Sequence, residues 1–328
     1  MIDLQNTFAD FASKKIIIVG DVMVDTYLNG SVSRISPEAP VPVVRFSSKE
    51  SRLGGAANVA LNIKALGAEP LIVSVIGNDE EGDHFLNLLK ENNLDDKGIF
   101  RSKNHLTTVK TRVIGNNQQL LRIDQEEIKP IHTDLAKYLI TQIKELVSTN
   151  DIDAIIFEDY NKGVLVPELI SEIIRIANDK GIITTVDPKK DNFFEYKNVT
   201  LFKPNLKELK EGTNMDFSSR DREAFLQAVI ELKKKLNPKH TFVTLSELGV
   251  YINDEQENLF IPAHHRIIAD VSGAGDTVIS VVTLCMASGL SPKLSAEIAN
   301  LAGGLVCEKV GVVSIDKEQL MNEALTLL

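Results

Sequence analysis

Apolar runs and helical stripes alternate along this chain. Ile16-Ile17-Ile18-Val19 is a continuous β-branched run that ends in Gly20-Asp21. That is the pattern of a strand buried on both faces of a parallel sheet. Behind Gly54-Gly55, the residues Val59, Ile63 and Leu66 recur at helical spacing, and Gly67 closes the helix. Residues 70–76 predict a second buried strand and residues 80–91 a helix. From about residue 130 the alternation becomes regular. It predicts helices over 133–148, 167–179, 205–211 and 219–235, and strands over 153–157, 182–186, 199–202 and 241–244. A hairpin follows near 249–261, then three helices over 275–288, 292–308 and 316–327. Such alternation builds an α/β fold, a doubly wound, mostly parallel sheet with helices on both faces.

Two stretches break the alternation. Pro37, Pro40 and Pro42 crowd residues 33–44, which excludes a helix and a central strand there. Residues 98–124 carry short runs, 107–114 and 119–123, separated by polar breaks that suit antiparallel strands. The expectation is a single domain over residues 1–328, with a small β lid inserted from about 27–46 and 98–124.

Composition narrows the function classes. The chain has 328 residues, 43% of them hydrophobic and 25% charged, which excludes a disordered chain or a disulfide-stapled module. The net charge of -10 argues against non-specific nucleic-acid binding, so no nucleic-acid partner is expected. An anionic substrate must then be held by local Lys and Arg. Cys285 and Cys307 fit no zinc spacing and read as buried small residues of a reducing compartment. The segment from Met1 to Asn6 has no basic region leading into an apolar core, and no run is long enough to span a bilayer. A cytoplasmic protein without membrane partners is expected.

The sharpest chemical signal is Asp270-Val271-Ser272-Gly273-Ala274-Gly275-Asp276-Thr277, followed by an apolar helix. Glycines at a helix start leave backbone N–H groups open to an anion, and the helix dipole favours one there. Asp276 falls in the first turn, beside that anion. Amides that stabilise a transferred phosphoryl group, next to an acid that accepts a hydroxyl proton, suit phosphoryl transfer. There is no Gly-x-x-x-x-Gly-Lys-Ser/Thr loop, no Gly-x-Gly-x-x-Gly after the first strand, and no Gly-x-Ser-x-Gly elbow. His264-His265 read as ordinary loop histidines. Glu126-Glu127 and Asp79-Glu80-Glu81 read as solvated loop and helix-start charges.

The chain resembles the ribokinase (PfkB-type) family of carbohydrate kinases. Its N-terminal signature appears as Gly54-Gly55-Ala56-Ala57-Asn58-Val59-Ala60, then Gly67 and Gly77, and its C-terminal one as the Asp270 to Asp276 block. Between them, Lys203-Pro204-Asn205-Leu206-Lys207-Glu208 resembles the family's Pro-Asn-x-x-Glu motif, and residues 243–249 its nucleotide-side turn, with Ser246 where glycine is more usual. The resemblance implies a ribokinase-like fold with a β lid, and ATP and Mg2+ as cofactors. It implies Asp276 as catalytic base and Gly273, Ala274 and Gly275 as the anion hole. Asp25, Gly54, Gly55 and Asn58 match sugar contacts. Asn205 and Glu208 resemble residues that position phosphates and magnesium-bound water. Thr244, Ser246, Gly249, Asn300 and Gly303 fall on the nucleotide side. Asp270, Ser272, Gly311 and Ser314 resemble a monovalent-cation site for K+.

Within that family, Gly20-Asp21-Val22-Met23-Val24-Asp25, residues 33–43, residues 117–122 and Asp159-Tyr160-Asn161-Lys162-Gly163 resemble the branch that phosphorylates heptose 7-phosphate. This implies transfer from ATP to the 1-position of D-glycero-D-manno-heptose 7-phosphate for surface-glycan precursors, with a nucleotidyltransferase on a separate chain. Asp159 is a further substrate candidate. The sugar's own phosphate needs a cationic clamp, for which Arg34, Lys110, Arg112, Arg122 and Lys162 are the candidates. Lys162 is equally placed to touch the transferred phosphate. The alternatives are a kinase of this family acting on another sugar, or a non-catalytic sugar-binding regulator on the same fold. A homodimer formed through the lid is expected by the same resemblance.

Overall fold

The structure is a computed structural model that describes residues 3–253 and 257–328. The chain starts with helix α1 (Leu4–Asp10), for which the sequence pattern gave no signal, and enters the sheet at β1 (Lys15–Gly20). Next come β2 (Val22–Ile35), β3 (Pro42–Gly55), α2 (Ala56–Ala65), β4 (Glu69–Gly77) and α3 (Glu80–Glu91). The strands β5 (Ile99–Ser102), β6 (Thr108–Gly115) and β7 (Gln118–Gln125) precede α4 (Thr133–Thr149). Then follow β8 (Ala154–Glu158), α5 (Pro167–Lys180), β9 (Ile183–Asp187), β10 (Leu201–Phe202), α6 (Leu206–Thr213) and α7 (Arg222–Leu236). The chain finishes with β11 (His240–Thr244), β12 (Val250–Asn253), β13 (Asn258–Ile261), α8 (Ala274–Ala287), α9 (Pro292–Cys307) and α10 (Lys317–Leu327). The turn of the hairpin expected near 249–261, and the first two residues of the N-terminal segment, lie outside the described residues.

Among the described residues, nine strands form the main sheet in the order β13-β12-β11-β10-β9-β8-β1-β4-β5. From β11 to β5 every pairing is parallel, and β12 and β13 add an antiparallel edge. The apolar run of β1 explains why helices cover both faces. Ile16 and Ile18 belong to a core that also holds residues of α2, α8 and α9. Ile17 and Val19 belong to the other core, with residues of α4, α5 and α7. Successive side chains of a strand point to opposite faces, so a fully apolar strand needs cover on both.

A second sheet has the order β3-β2-β6-β7. It differs from the sequence expectation in extent. The paired strands run through Val22–Ile35 and Pro42–Gly55, well beyond 27–46. Residues 98–102 do not join it, because Ile99–Ser102 pairs in parallel with β4 at the edge of the main sheet. The full length of β3 escaped the pattern because residues 45–50 are exposed and carry no burial signal, and the buried start of β2 follows β1 with only Asp21 between. No helix among the described residues is long and apolar enough to cross a membrane.

Candidate active site

The parallel strands bring their carboxyl ends to one edge, where α/β proteins hold ligands. Asp21 follows β1, Glu158 ends β8, Asp187 ends β9 and Thr244 ends β11. Helix α8 starts at the same edge. Gly273 caps it in the left-handed region, at φ 78°. Asp276, in its first turn, is only 4% exposed. Asn58 Nδ2 donates to its Oδ2 at 2.6 Å and Tyr160 Oη donates to its Oδ1 at 2.9 Å. Burial raises its pKa, the Asn58 and Tyr160 hydrogen bonds work against that, neighbouring Asp187 adds to it, and the result is about 6. Of the expected anion-hole amides, that of Ala274 bends back to the Val271 carbonyl at 3.3 Å. The amides of Gly275 and Asp276 remain as first-turn donors without an intrahelical acceptor.

Next to Asp276 lie two acids that the sequence analysis did not single out. Glu158, Asp187 and Asp276 each present a carboxylate oxygen within 4.8 Å of the others. Lys203 Nζ pairs with Asp187 at 2.7 Å, with the two side chains 2% and 8% exposed. Burial, then the charges of Asp187 and Asp276, push the Glu158 carboxyl well above its usual range. Its Oε2 has no hydrogen-bond partner among the described residues. A close set of hard oxygen donors with an unsatisfied member fits a divalent cation such as Mg2+. The findable signal was an acid at the end of each buried strand run.

Asn205 and Glu208 also reach this edge, but they serve each other first. Glu208 N donates to Asn205 Oδ1 at 2.9 Å and Asn205 N to Glu208 Oε2 at 2.8 Å, a reciprocal cap on α6. The other oxygen of Glu208 takes Lys189 Nζ at 2.5 Å, and that ammonium lies 5.4 Å from the centre of the Tyr160 ring.

Asp21 shapes the neighbouring loop. Its carboxylate accepts the amides of Tyr160, Lys162 and Val164 at 2.9–3.1 Å. Asp159, expected to touch substrate, does not face the cleft. It is 0% exposed, and its oxygens take the Asn161 amide, the Tyr196 hydroxyl and Asn192 Nδ2. It is a scaffold group one residue past the end of β8.

The residues assigned to the nucleotide side lie together. Thr244, Ser246, Gly249, Asn300 and Gly303 line one cavity of about 670 Å³, with His264, His265 and Arg266 on its wall. Ser246 adopts φ 54°, the left-handed backbone that explains why glycine is usual there. Asn300 Nδ2 donates to the Pro262 carbonyl at 2.8 Å and so fixes the cavity wall.

The second sheet carries Asp25, Gly54 and Gly55, residues expected to touch a sugar. Its register puts Arg52, Asp25, Lys110 and Asp124 in one row, and Glu50, Tyr27, Arg112 and Arg122 in the next. Arg112 pairs with Asp25, and the guanidinium groups of Arg52 and Arg112 lie 5.2 and 5.4 Å from the centre of the Tyr27 ring. A Cβ at Gly54 would sit 2.3 Å from Asp25 Oδ2, so only glycine lets that carboxylate stand where it does. Arg34 is not brought to the cleft. It is exposed near the far end of β2, nine residues from Asp25, or about 30 Å along an extended strand. Arg122 stays half exposed on the outermost strand, tied to Asp124 at 2.8 Å. Glu126, read as a solvated charge, instead holds both Lys110 and Lys162 at 2.9 Å.

Asp270, Ser272 and Gly311 converge. Asp270 Oδ1 accepts the Ser272 amide and hydroxyl at 2.9 and 2.8 Å, and its Oδ2 accepts the Gly311 amide at 2.9 Å. Ser314 is not part of this hydrogen-bonded set.

A family profile described as "pfkB family carbohydrate kinase" matches residues 13–319. The chain is 39% identical over 307 residues to the bifunctional protein HldE of Helicobacter pylori (strain G27), and 40% identical over 307 residues to that of Campylobacter fetus subsp. fetus (strain 82-40). Each match covers 94% of this chain but 65% and 66% of those proteins, so the chain spans about two thirds of the length of the curated relatives it matches. Phosphofructokinase-2 from Escherichia coli, solved in complex with potassium, superposes with a TM-score of 0.78 at 20% identity, covering 96% of this chain and 99% of that one. Arabidopsis thaliana ribokinase, complexed with ribose and ATP, gives 0.73 at 16% identity, covering 96% and 99%. The fold is therefore ribokinase-like.

The buried Lys203–Asp187 pair yields a stability prediction. Lys203→Met leaves Asp187 uncompensated beside two further acids and should cost about 3–5 kcal/mol, read by denaturant or thermal unfolding. An unfolding midpoint equal to wild type would show that Lys203 does not balance the cluster.

Proposed function

The chain belongs to the pfkB family of carbohydrate kinases, and on that footing we propose that it transfers the γ-phosphoryl group of ATP to the 1-hydroxyl of D-glycero-D-manno-heptose 7-phosphate, in the cytoplasm, for surface-glycan precursors. The observation that carries the kinase chemistry is Asp276, buried in the first turn of α8 between the Asn58 and Tyr160 donors. The heptose assignment is supported by the sequence motifs of that branch and by the identity to the HldE proteins. The nucleotidyltransferase that would use the product is assigned outside these residues.

Asp276 acts as the base. Asn58 and Tyr160 fix both of its oxygens, so the carboxylate meets the acceptor hydroxyl in one orientation. The hydroxyl oxygen forms its bond to the γ-phosphorus as the bond to the leaving ADP oxygen breaks, and the hydroxyl proton passes to Asp276. The amides of Gly275 and Asp276 and the α8 dipole stabilise negative charge on the group in flight. Asp25 and Asn58 orient the sugar hydroxyls, and Gly54 and Gly55 let the backbone come close. The cavity lined by Thr244, Ser246, Gly249, Asn300 and Gly303 takes the nucleotide. Glu158 and Asp187 would hold Mg2+, with Glu208 and Asn205 at the rim. Bound there, Mg2+ offsets phosphate charge. A monovalent cation such as K+ is assigned to the loops that Asp270 joins.

We assign homodimer formation to the outer face of the small sheet. Phe46, Leu121 and Ile123 are all more than half exposed on the face opposite Asp25. An apolar sheet face with open edges is a surface that pairs with a second copy.

Four outcomes follow. Coupled ADP release should be fastest with heptose 7-phosphate in a panel that includes sedoheptulose 7-phosphate, fructose 6-phosphate, ribose and adenosine. Preference for an unphosphorylated sugar would keep the kinase and remove the heptose assignment. Asp276→Asn should lower kcat by about 10²–10⁴-fold. Because the ionised carboxylate is the base, wild-type kcat/KM should fall on acidification below about pH 6, and a flat profile there would exclude Asp276 as the titrating group. Sedimentation should show a dimer that the Leu121→Glu/Ile123→Glu variant converts to monomer. A monomeric wild type would defeat the lid interface.

A further inference from the structure

One carboxylate joins the small sheet to the body of the molecule. Glu126 stands just after β7. Its Oε2 accepts Lys110 Nζ from β6 at 2.9 Å, and its Oε1 pairs with Lys162 Nζ from the 160–164 loop at 2.9 Å. The lysine side chains are 14% and 10% exposed. Both stand on the acceptor side of the base. Lys110 lies in register beside Asp25, and Lys162 is two residues from Tyr160, whose hydroxyl is on Asp276. Lys110 has a second partner in Asp124 at 3.1 Å. Lys162 has Glu126 as its ion-pair partner among the described residues. Partial burial works against the ionised Glu126 carboxyl, but Lys162 and Lys110 together hold it below the usual range.

Two converging ammonium groups that grip the two oxygens of a carboxylate are equally matched to two oxygens of a phosphate. A phosphate monoester brings one more acceptor oxygen and nearly one more unit of charge. We infer that Glu126 is a resident stand-in for the acceptor's own phosphate, holding Lys110 and Lys162 together in the free enzyme and yielding them to a phosphorylated sugar. The inference rests on the reading that the acceptor is a sugar phosphate. It makes the subsite an exchange of anions. A neutral sugar has nothing with which to displace Glu126, so discrimination comes from the contact it fails to replace as well as from the attraction it lacks.

Glu126→Gln keeps the shape and removes the competing charge. The KM for heptose 7-phosphate should fall about three- to tenfold, as expected when a self-occupied site is freed. The inhibition constant of inorganic phosphate, competitive against the sugar, should fall by the same factor while the KM for ATP stays put. Calorimetric titration of the full-length protein with inorganic phosphate alone reads the same change without turnover. Lys110→Met supplies an independent arm, in which the KM for the sugar phosphate should rise with the KM for ATP unchanged. If Glu126→Gln leaves the phosphate affinity unchanged or weaker, or Lys110→Met leaves the sugar-phosphate KM unchanged, Glu126 is a structural latch and the inference fails while the heptose kinase reading stands. If wild type turns over only unphosphorylated sugars, that reading fails and takes this subsite with it.

Discussion

The structure is organised around a crowd of like charges kept out of water. Glu158, Asp187 and Asp276 converge at the carboxyl edge of the sheet, where the parallel topology puts the end of every strand. Two unit charges at about 4 Å repel by about 4 kcal/mol at an effective dielectric constant of 20, so this arrangement persists only if each acid has its own remedy. Asp187 has Lys203 at 2.7 Å. Asp276 has donors on both oxygens. Glu158 is driven toward its neutral form by burial and by the other two, and still has an unpartnered oxygen. The compensation is enough to fold but leaves the edge short of positive charge. A divalent cation held by these oxygens would supply what is missing.

The small sheet solves a different problem with the same alternation that builds the core. Odd positions of β2 send Asp25 and Tyr27 toward the cleft, while even positions and their cross-strand partners form a face that carries Phe46, Leu121 and Ile123 into solvent. One sheet therefore has a polar face toward the cleft and an apolar back. Asp25, Arg112, Tyr27 and Arg52 stack as a continuous group of charges and ring contacts across three strands. Arg52 also donates to the Val312 carbonyl at 2.8 Å, which ties this polar face to the segment beside Gly273.

How legible this was in the sequence depends on the distance over which each feature is determined. The strand β1 announces itself because four β-branched residues in a row have one use in a soluble sheet. The start of α8 is equally local, since Gly273, Gly275 and Asp276 lie within one turn. What escaped was set by contacts across the chain. The Asn58–Asp276 bond joins positions 218 residues apart, and Tyr160–Asp276 positions 116 apart. No local pattern tells Glu158, which faces the cluster, from Asp159, which lies one residue on and is consumed by Tyr196 and Asn192. Glu126 looked like a surface charge because the lysines that partly cover it come from β6 and from the loop that Asp21 organises. The inner parts of β2 and β3 were missed for other reasons, because residues 22–26 follow β1 with only Asp21 between and residues 47–50 are exposed and carry little periodicity.

The two groups that hold the Asp276 carboxylate come from different elements, and one of them follows directly on a strand of the small sheet. Asn58 is the third residue of α2, and α2 continues directly from β3 with Gly55 as its cap at φ 60°. Its position is therefore an extension of the lid strand that pairs with Asp25's strand. Tyr160 belongs to the body, where Asp21 grips its amide at 2.9 Å and Lys189 lies over its ring. Asp276 is oriented by both donors, and α2, like the Tyr160 loop, is held by the body. Gly55 thus brings the lid strand into the core within three residues of Asn58 and one of the two bonds on the carboxylate. The Asp276 carboxylate is thus aligned by two groups of the body, and the small sheet meets the cleft already anchored beside it.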